Sequence, residues 1–275
     1  MTIKCKHLPN REYSTKEAMF KDLAANAALI IQAKKAAVYQ SIKKGHIGSS
    51  CLSVSNAKSE AIKAALTMQP DTIYPVINTT NYLDSHDDVH FKGLWTKSIK
   101  DQQGKLYYVA DHDLSIASVI AYPSKVKAYV KELDWSAFSQ SYAGTTEALI
   151  FEIAKDAIVH DAASEAIEGG EPVQNSVRMQ YVTVKLAMNS KDPENKEYKA
   201  YFDKRIDEIA NKELAIEQGY FFGVEEAKIV KEGSMVLFGS NDMTPIFSDA
   251  LSPETDKREQ PPEGTPKRGI WQFDY

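Results

Sequence analysis

The sequence has 275 residues, with 33 Lys and Arg against 38 Asp and Glu, for a net charge of −5. A hydrophobic content of 43% and a charged content of 26% exclude wholesale disorder and suit one large globular domain or a domain with appendages. Two cysteines, Cys5 and Cys51, are too few for a disulfide framework or a cysteine zinc site, and the longest apolar runs, Ala27–Ile31 and Leu106–Ala110, fall far short of the roughly 20 residues a membrane span needs. Met1–Asn10 also lacks the apolar stretch of a secretory signal, so a cytosolic-type protein without a membrane partner is expected.

Charge is unevenly spread. Met1–Met68 holds eleven Lys and Arg against four acids, a net of +7, which leaves −12 for the remainder. Residues 1–68 therefore read as a basic helical N-terminal arm on an acidic body. Ser14-Thr15-Lys16-Glu17 fits a capping box with Ser14 as the cap. Met19, Phe20, Leu23, Ala27, Ile30, Ile31, Ala37 and Val38 follow at helical spacing, with Lys34 as an exception on the stripe. Such a stripe packs on its own domain or binds a partner. The lysines have no interleaved aromatics and so give nucleic acid no support. A second helix is expected over Asn56–Met68.

After Pro70 the texture becomes β. Thr72–Thr80, Lys105–Ala110, Ile116–Tyr122, Val126–Val130 and Ala148–Ile153 are short, rich in β-branched and aromatic residues, and bounded by polar or Gly/Pro punctuation. A helical stretch runs up to Gly169-Gly170. In Ser176–Met188 the apolar phase switches from Val177, Met179 and Tyr181 to Val182, Val184 and Leu186, which predicts a bulge. Glu197–Gln218 reads as one amphipathic helix and Lys228–Phe238 as the last strand. Many short strands with irregularly placed helices predict an α+β fold with a β-barrel-like core over residues 69–250. Leu251–Tyr275, with four of the eleven prolines and nine charged residues, reads as a flexible tail that ends in the apolar Ile270, Trp271, Phe273 and Tyr275.

No Gly-rich phosphate loop, GxSxG, HExxH or CxxC is present, so no cofactor is expected. Asp84, His86, Asp88 and His90 form the densest group of potential metal ligands, and their bland reading is an acidic turn. His112 ends an apolar strand between Asp111 and Asp113, where neighbouring charge supports a general base. Ser176 opens a strand on the polar face shared with Arg178 and Gln180. Glu232 interrupts an apolar run, and a carboxylate inside a buried strand needs a partner, for which a histidine is the natural choice. A His, Ser, Glu order is compatible with triad chemistry, which is defined by geometry.

At four islands the sequence resembles the prohead (capsid maturation) proteases of tailed bacteriophages, a family related in fold to the herpesvirus assemblins. The islands are Asn78-Thr79-Thr80 with Asp84 and Asp88–Gly93, then Tyr107–Asp113, Asn175–Tyr181 and Ala227–Asp242. The resemblance implies an α+β fold with a barrel-like antiparallel core and peripheral helices. It implies a serine endopeptidase with His112 as base, Ser176 as nucleophile and Glu232 orienting the imidazole. Ser234 and Asp111 would be supporting residues, without a metal. It further implies action in the host cytoplasm inside the assembling head, on scaffold protein, major capsid protein and the chain itself, with a homo-oligomer among the options. Where the family usually has a small residue and an aromatic after the nucleophile, this chain has Arg178 and Met179, and Gly233 replaces a β-branched residue. Two rival readings are an inactive head- or scaffold-associated protein of the same fold and a metal-dependent hydrolase built on Asp84, His86, Asp88, His90 and His112.

Overall fold

In the computed structural model, which describes residues 2–38, 55–56 and 60–248, two five-stranded sheets face each other. In chain order the elements begin with β1 (Ile3–Lys4), β2 (Glu12–Tyr13), α1 (Lys16–Ala36), β3 (Ser55–Asn56), α2 (Glu60–Leu66), β4 (Thr72–Thr79), β5 (Asp88–His90) and α3 (Thr96–Gln102). They continue with β6 (Tyr107–Ala110), β7 (Val119–Ala121), β8 (Lys127–Asp134), β9 (Thr145–Ala154), α4 (Asp161–Glu168), β10 (Gln174–Met188), α5 (Lys196–Arg205), α6 (Lys212–Gln218), β11 (Tyr220–Val236) and β12 (Ile246–Ser248). One sheet runs β10-β11-β6-β7 with β5 also beside β11, and the other runs β3-β12-β4-β9-β8. Cys51 and the tail 251–275 lie outside the described residues.

The architecture is mixed α and β, and the described strands do not close into the barrel expected from sequence. Nor is the core wholly antiparallel: β11 pairs in parallel with both β5 and β6, and β12 with β3. Parallel pairing needs a long crossover, and four strands and three α-helices intervene between β6 and β11. The alternation of β4 sends Ile73 and Ile77 to the main core and Tyr74 and Val76 to a second cluster with Trp135, Phe138 and Phe247. Gly233 marks the contact between the sheets, since a Cβ there would lie 2.8 Å from Phe151 Cε2 and 2.9 Å from Ile77 Cγ2. Gly233→Ala should cost about 1–3 kcal/mol of stability by overpacking. A urea midpoint equal to wild type would refute that.

Helix α1 buries Met19, Phe20, Leu23 and Ala27 in the main core, so at this helix the 1–68 segment is part of the body. Its cap is Thr15, one residue later than the capping box suggests, with Thr15 Oγ1 accepting from the Ala18 N–H at 3.2 Å. Glu17 reaches instead to Ser190 Oγ and the Lys191 N–H. The expected helix Glu197–Gln218 is split into α5 and α6. The break frees the Asn211 side chain to accept from the Leu83 N–H and donate to the Leu83 carbonyl, at 2.8 and 3.0 Å. Gly219, at φ 84°, then ends α6, and β11 starts eight residues before the expected strand. The bulge expected in β10 is present as register shifts between Tyr181 and Val184, and they turn Val182 out to solvent.

Candidate active site

The apolar strand β6 runs beside β11, with Val109 opposite Ser234 and Ala110 opposite Met235. Beyond it the chain turns through two residues in the left-handed region, Asp111 at φ 51° and His112 at φ 57°. Non-glycine residues adopt that conformation only where their surroundings impose it. Here the Asp111 N–H donates to the Met235 carbonyl at 2.9 Å, and the His112 N–H donates to Ser234 Oγ at 2.7 Å. Ser234 in turn donates to the Val109 carbonyl at 3.1 Å, so its hydroxyl locks the turn against the end of β6.

His112 is buried, with Nδ1 2.8 Å from Glu232 Oε1. A carboxylate accepting from Nδ1–H leaves the lone pair on Nε2, the arrangement a general base requires. That Nε2 is buried and has no hydrogen-bond partner among the described residues, and the same holds for Glu232 Oε2. Glu232 reaches the imidazole through a distortion of β11. Between Val177 and Met179 on β10, the facing register runs from Gly233 to Ile229, and Lys231 takes φ 75°. Bulges of this kind re-aim side chains beside active sites.

Ser176 stands directly opposite Ser234 in the β10–β11 ladder. Directly paired residues point to the same face, with Cβ atoms about 5 Å apart. Ser176 is therefore on the face that carries Ser234, and Ser234 holds His112. No hydrogen bond joins Ser176 to His112. Catalytic hydrogen bonds are commonly long in a substrate-free site and tighten when substrate binds. Arg178 is half-buried and donates through Nη1 to the His112 main-chain oxygen at 3.5 Å. Asp111, expected as a supporting residue, is exposed. It acts through its main chain, and its carboxylate meets no hydrogen-bond partner among the described residues.

The acidic turn has other partners. Asp88 Oδ1 pairs with the buried Lys34 at 2.6 Å, and Asp88 Oδ2 accepts from Tyr181 at 2.8 Å. His90 uses both ring nitrogens, on Asn78 and on Tyr181. Burial lowers His90 to about 4, so its imidazole is neutral at physiological pH. Asp87 takes Lys6, His7 and the Tyr220 hydroxyl. Burial opposes its ionisation, but the His7 hydrogen bond and the Lys6 charge hold its pKa below the usual value. Among the described residues no three His, Cys, Asp or Glu side chains are grouped to hold a metal ion, and Asp88 and His90 are spent on these contacts. A surface depression of about 1070 Å³ lies beside this turn, lined by Lys6, Met19, Asp84 and Tyr220, and not at His112.

Asp84 accepts from the main-chain N–H groups of His86 and Asp88 through Oδ1, while Oδ2 has no hydrogen-bond partner among the described residues. Burial, then the Asp88 charge, pushes Asp84 up to about 8. The unfolded chain releases this proton near the ordinary value of 3.8 and the folded chain near 8, so Asp84 removes stability as pH rises through that window. Asp84→Asn keeps the Oδ1 acceptor and removes the titration. It should melt above wild type at pH 8, with the difference shrinking towards pH 4; a gap independent of pH would refute the assignment.

Comparison with protein-family models, curated proteins and solved structures finds no match. The site therefore stands on its own geometry. The structure brings His112, Glu232, Ser234 and Ser176 together and leaves the Asp111 carboxylate apart. Sequence reading found the pairing of Glu232 with a histidine from the burial cost of a carboxylate. It missed the left-handed Lys231 that makes the pairing possible, because a lysine inside a strand carries no such signal.

Proposed function

We propose that this chain is a serine endopeptidase of the Ser–His–Glu type, with the fold and role of a phage prohead protease. The observation that supports the reading is the buried Glu232–His112 pair, which leaves Nε2 without a hydrogen-bond partner among the described residues, next to the Ser234–Ser176 pair of the ladder. Ser176 Oγ would attack the scissile carbonyl while His112 Nε2 takes its proton and then gives it to the leaving amine. Glu232 would hold the tautomer and stabilise the imidazolium. Ser234 would fix the turn that presents the ring. The proposed substrates are the scaffold protein, the major capsid protein and the chain itself, inside the assembling head in the host cytoplasm. No helix among the described residues is long and apolar enough to cross a membrane.

A second reading, a structural head protein of the same fold without cleavage, is favoured by one observation: among the described residues His112 Nε2 has no hydrogen-bond partner, Ser176 included. A fluorophosphonate probe separates the two. An endopeptidase should be labelled on Ser176 in the wild-type chain and not in Ser176→Ala, and co-expression with the capsid protein should yield processed fragments only with wild type. Absence of labelling, together with identical processing patterns, would leave the structural reading.

A further inference from the structure

The strand that opens towards Ser176 and the strand that ends at His112 are not neighbours, because β11 lies between β10 and β6. Two side-chain hydrogen bonds span the gap, a long one from Arg178 to the His112 main-chain oxygen at 3.5 Å and a shorter one that is fully buried. Tyr108, four residues before His112, donates its hydroxyl to Oδ1 of Asn175, the residue before Ser176, at 2.6 Å. The crossing falls at the level of Gly233, which pairs with Tyr108 on one side and Val177 on the other and has no side chain to obstruct it. Both partners are buried, at 0% and 1% exposure. Burial raises the Tyr108 hydroxyl above its ordinary pKa, so it keeps its proton and donates.

Each end of the bridge is itself held. The Tyr108 ring meets Phe151 edge-on at 6.3 Å. The Asn175 amide donates to the carbonyls of Thr244 and Pro245 at 2.9 and 3.2 Å, and its main-chain N–H donates to the Thr244 carbonyl at 3.0 Å. Asn175 is thus fixed from both sides of its strand, and the tyrosine hydroxyl sets where that strand lies relative to β6.

We propose that Tyr108 and Asn175 are positioning residues, a strut that sets the distance between the His112 imidazole and the Ser176 hydroxyl. This rests on the endopeptidase reading. A serine nucleophile is activated only when its hydroxyl lies within reach of the base, and a displacement of about 1 Å can cost on the order of a hundredfold in rate.

The test is the rate at which Ser176 is labelled by a fluorophosphonate in the full chain. Tyr108→Phe should label roughly tenfold to a hundredfold more slowly, with the loss in the inactivation rate constant and not in probe binding. Tyr181→Phe removes a buried hydroxyl on β10 itself, one bonded to Asp88 and His90, and should label at the wild-type rate. Tyr108→4-aminophenylalanine keeps a donor to Asn175 and should recover most of the lost rate. A wild-type rate in Tyr108→Phe, or an equal loss in Tyr181→Phe, overturns the strut and leaves the endopeptidase reading intact. A wild-type chain that is not labelled overturns that reading, and the strut falls with it. If Tyr108→Phe fails to fold, Tyr108→3,5-difluorotyrosine keeps the ring and its hydroxyl, adds two small fluorines and makes the hydroxyl more acidic. A changed rate in that variant supports the strut and an unchanged one overturns it.

Discussion

Glu232→Gln should abolish nearly all peptide cleavage, with kcat falling by on the order of 10⁴-fold and the fold retained. The carboxylate can only accept from Nδ1, which reserves Nε2 for the serine proton. An amide in the same place can donate to Nδ1, and the imidazole then carries its hydrogen on Nε2, where it cannot act as a base. Replacing the orienting carboxylate of a serine triad by its amide has a cost of this order for that reason. Because Glu232 is fully buried and its Oε1 lies 2.8 Å from Nδ1, an isosteric amide fits without a cavity. Steady-state kinetics on a fluorogenic peptide, with a circular dichroism spectrum alongside, decide the matter. A kcat within tenfold of wild type would show that Glu232 does not orient a catalytic imidazole.

The largest loss of stability is expected from Lys34→Met. Lys34 sits on the apolar stripe of α1, yet it is buried because its ammonium lies 2.6 Å from Asp88 and 4.6 Å over the Phe222 ring. Removing the cation leaves the Asp88 carboxylate buried with the Tyr181 hydroxyl as its remaining side-chain donor among the described residues. Breaking one side of a buried pair costs about 3–5 kcal/mol, more than the pair itself contributes over an apolar replacement. The double variant Lys34→Met with Asp88→Asn should therefore recover much of the loss. Urea unfolding of the two single variants and the double gives the coupling. A double variant no more stable than Lys34→Met would show that the charge left behind is not the cause.

Lys34 also shows how far the sequence can be read. The stripe of α1 predicts the helix and its buried face, and the lysine is a visible exception. Its partner, though, lies 54 positions away, in the turn whose acids read equally well as metal ligands. Charge spacing alone does not tell an ion-pair network from a metal site. The β strands Thr72–Thr79 and Tyr107–Ala110 were legible because their apolar runs are bounded by turns. The start of β11 was not, because Tyr220, Phe221, Phe222 and Val224 follow a helix with only Gly219 between them. The sheet order was also hidden. Nothing local tells β6 to lie parallel to β11, and that pairing places His112 over Ser234. Leu237 and Phe238 extend the apolar run of β11 in sequence but are exposed, at 59% and 63%, because the strand ends at Val236.

If the chain is an endopeptidase, the position of Glu232 on β11 sets when its site can assemble. A ribosome makes Tyr107–Asp113 and Asn175–Tyr181 well before it reaches β11. At roughly 5–20 residues per second, the orienting carboxylate follows the nucleophile after several seconds. Until β11 inserts between β10 and β6, the two strands have no ladder to share, His112 has no Ser234 to hold its turn, and Ser176 has no base. On the endopeptidase reading, a nascent chain would therefore be inert towards its neighbours and towards itself, and proteolysis would begin only with the closing of one late strand.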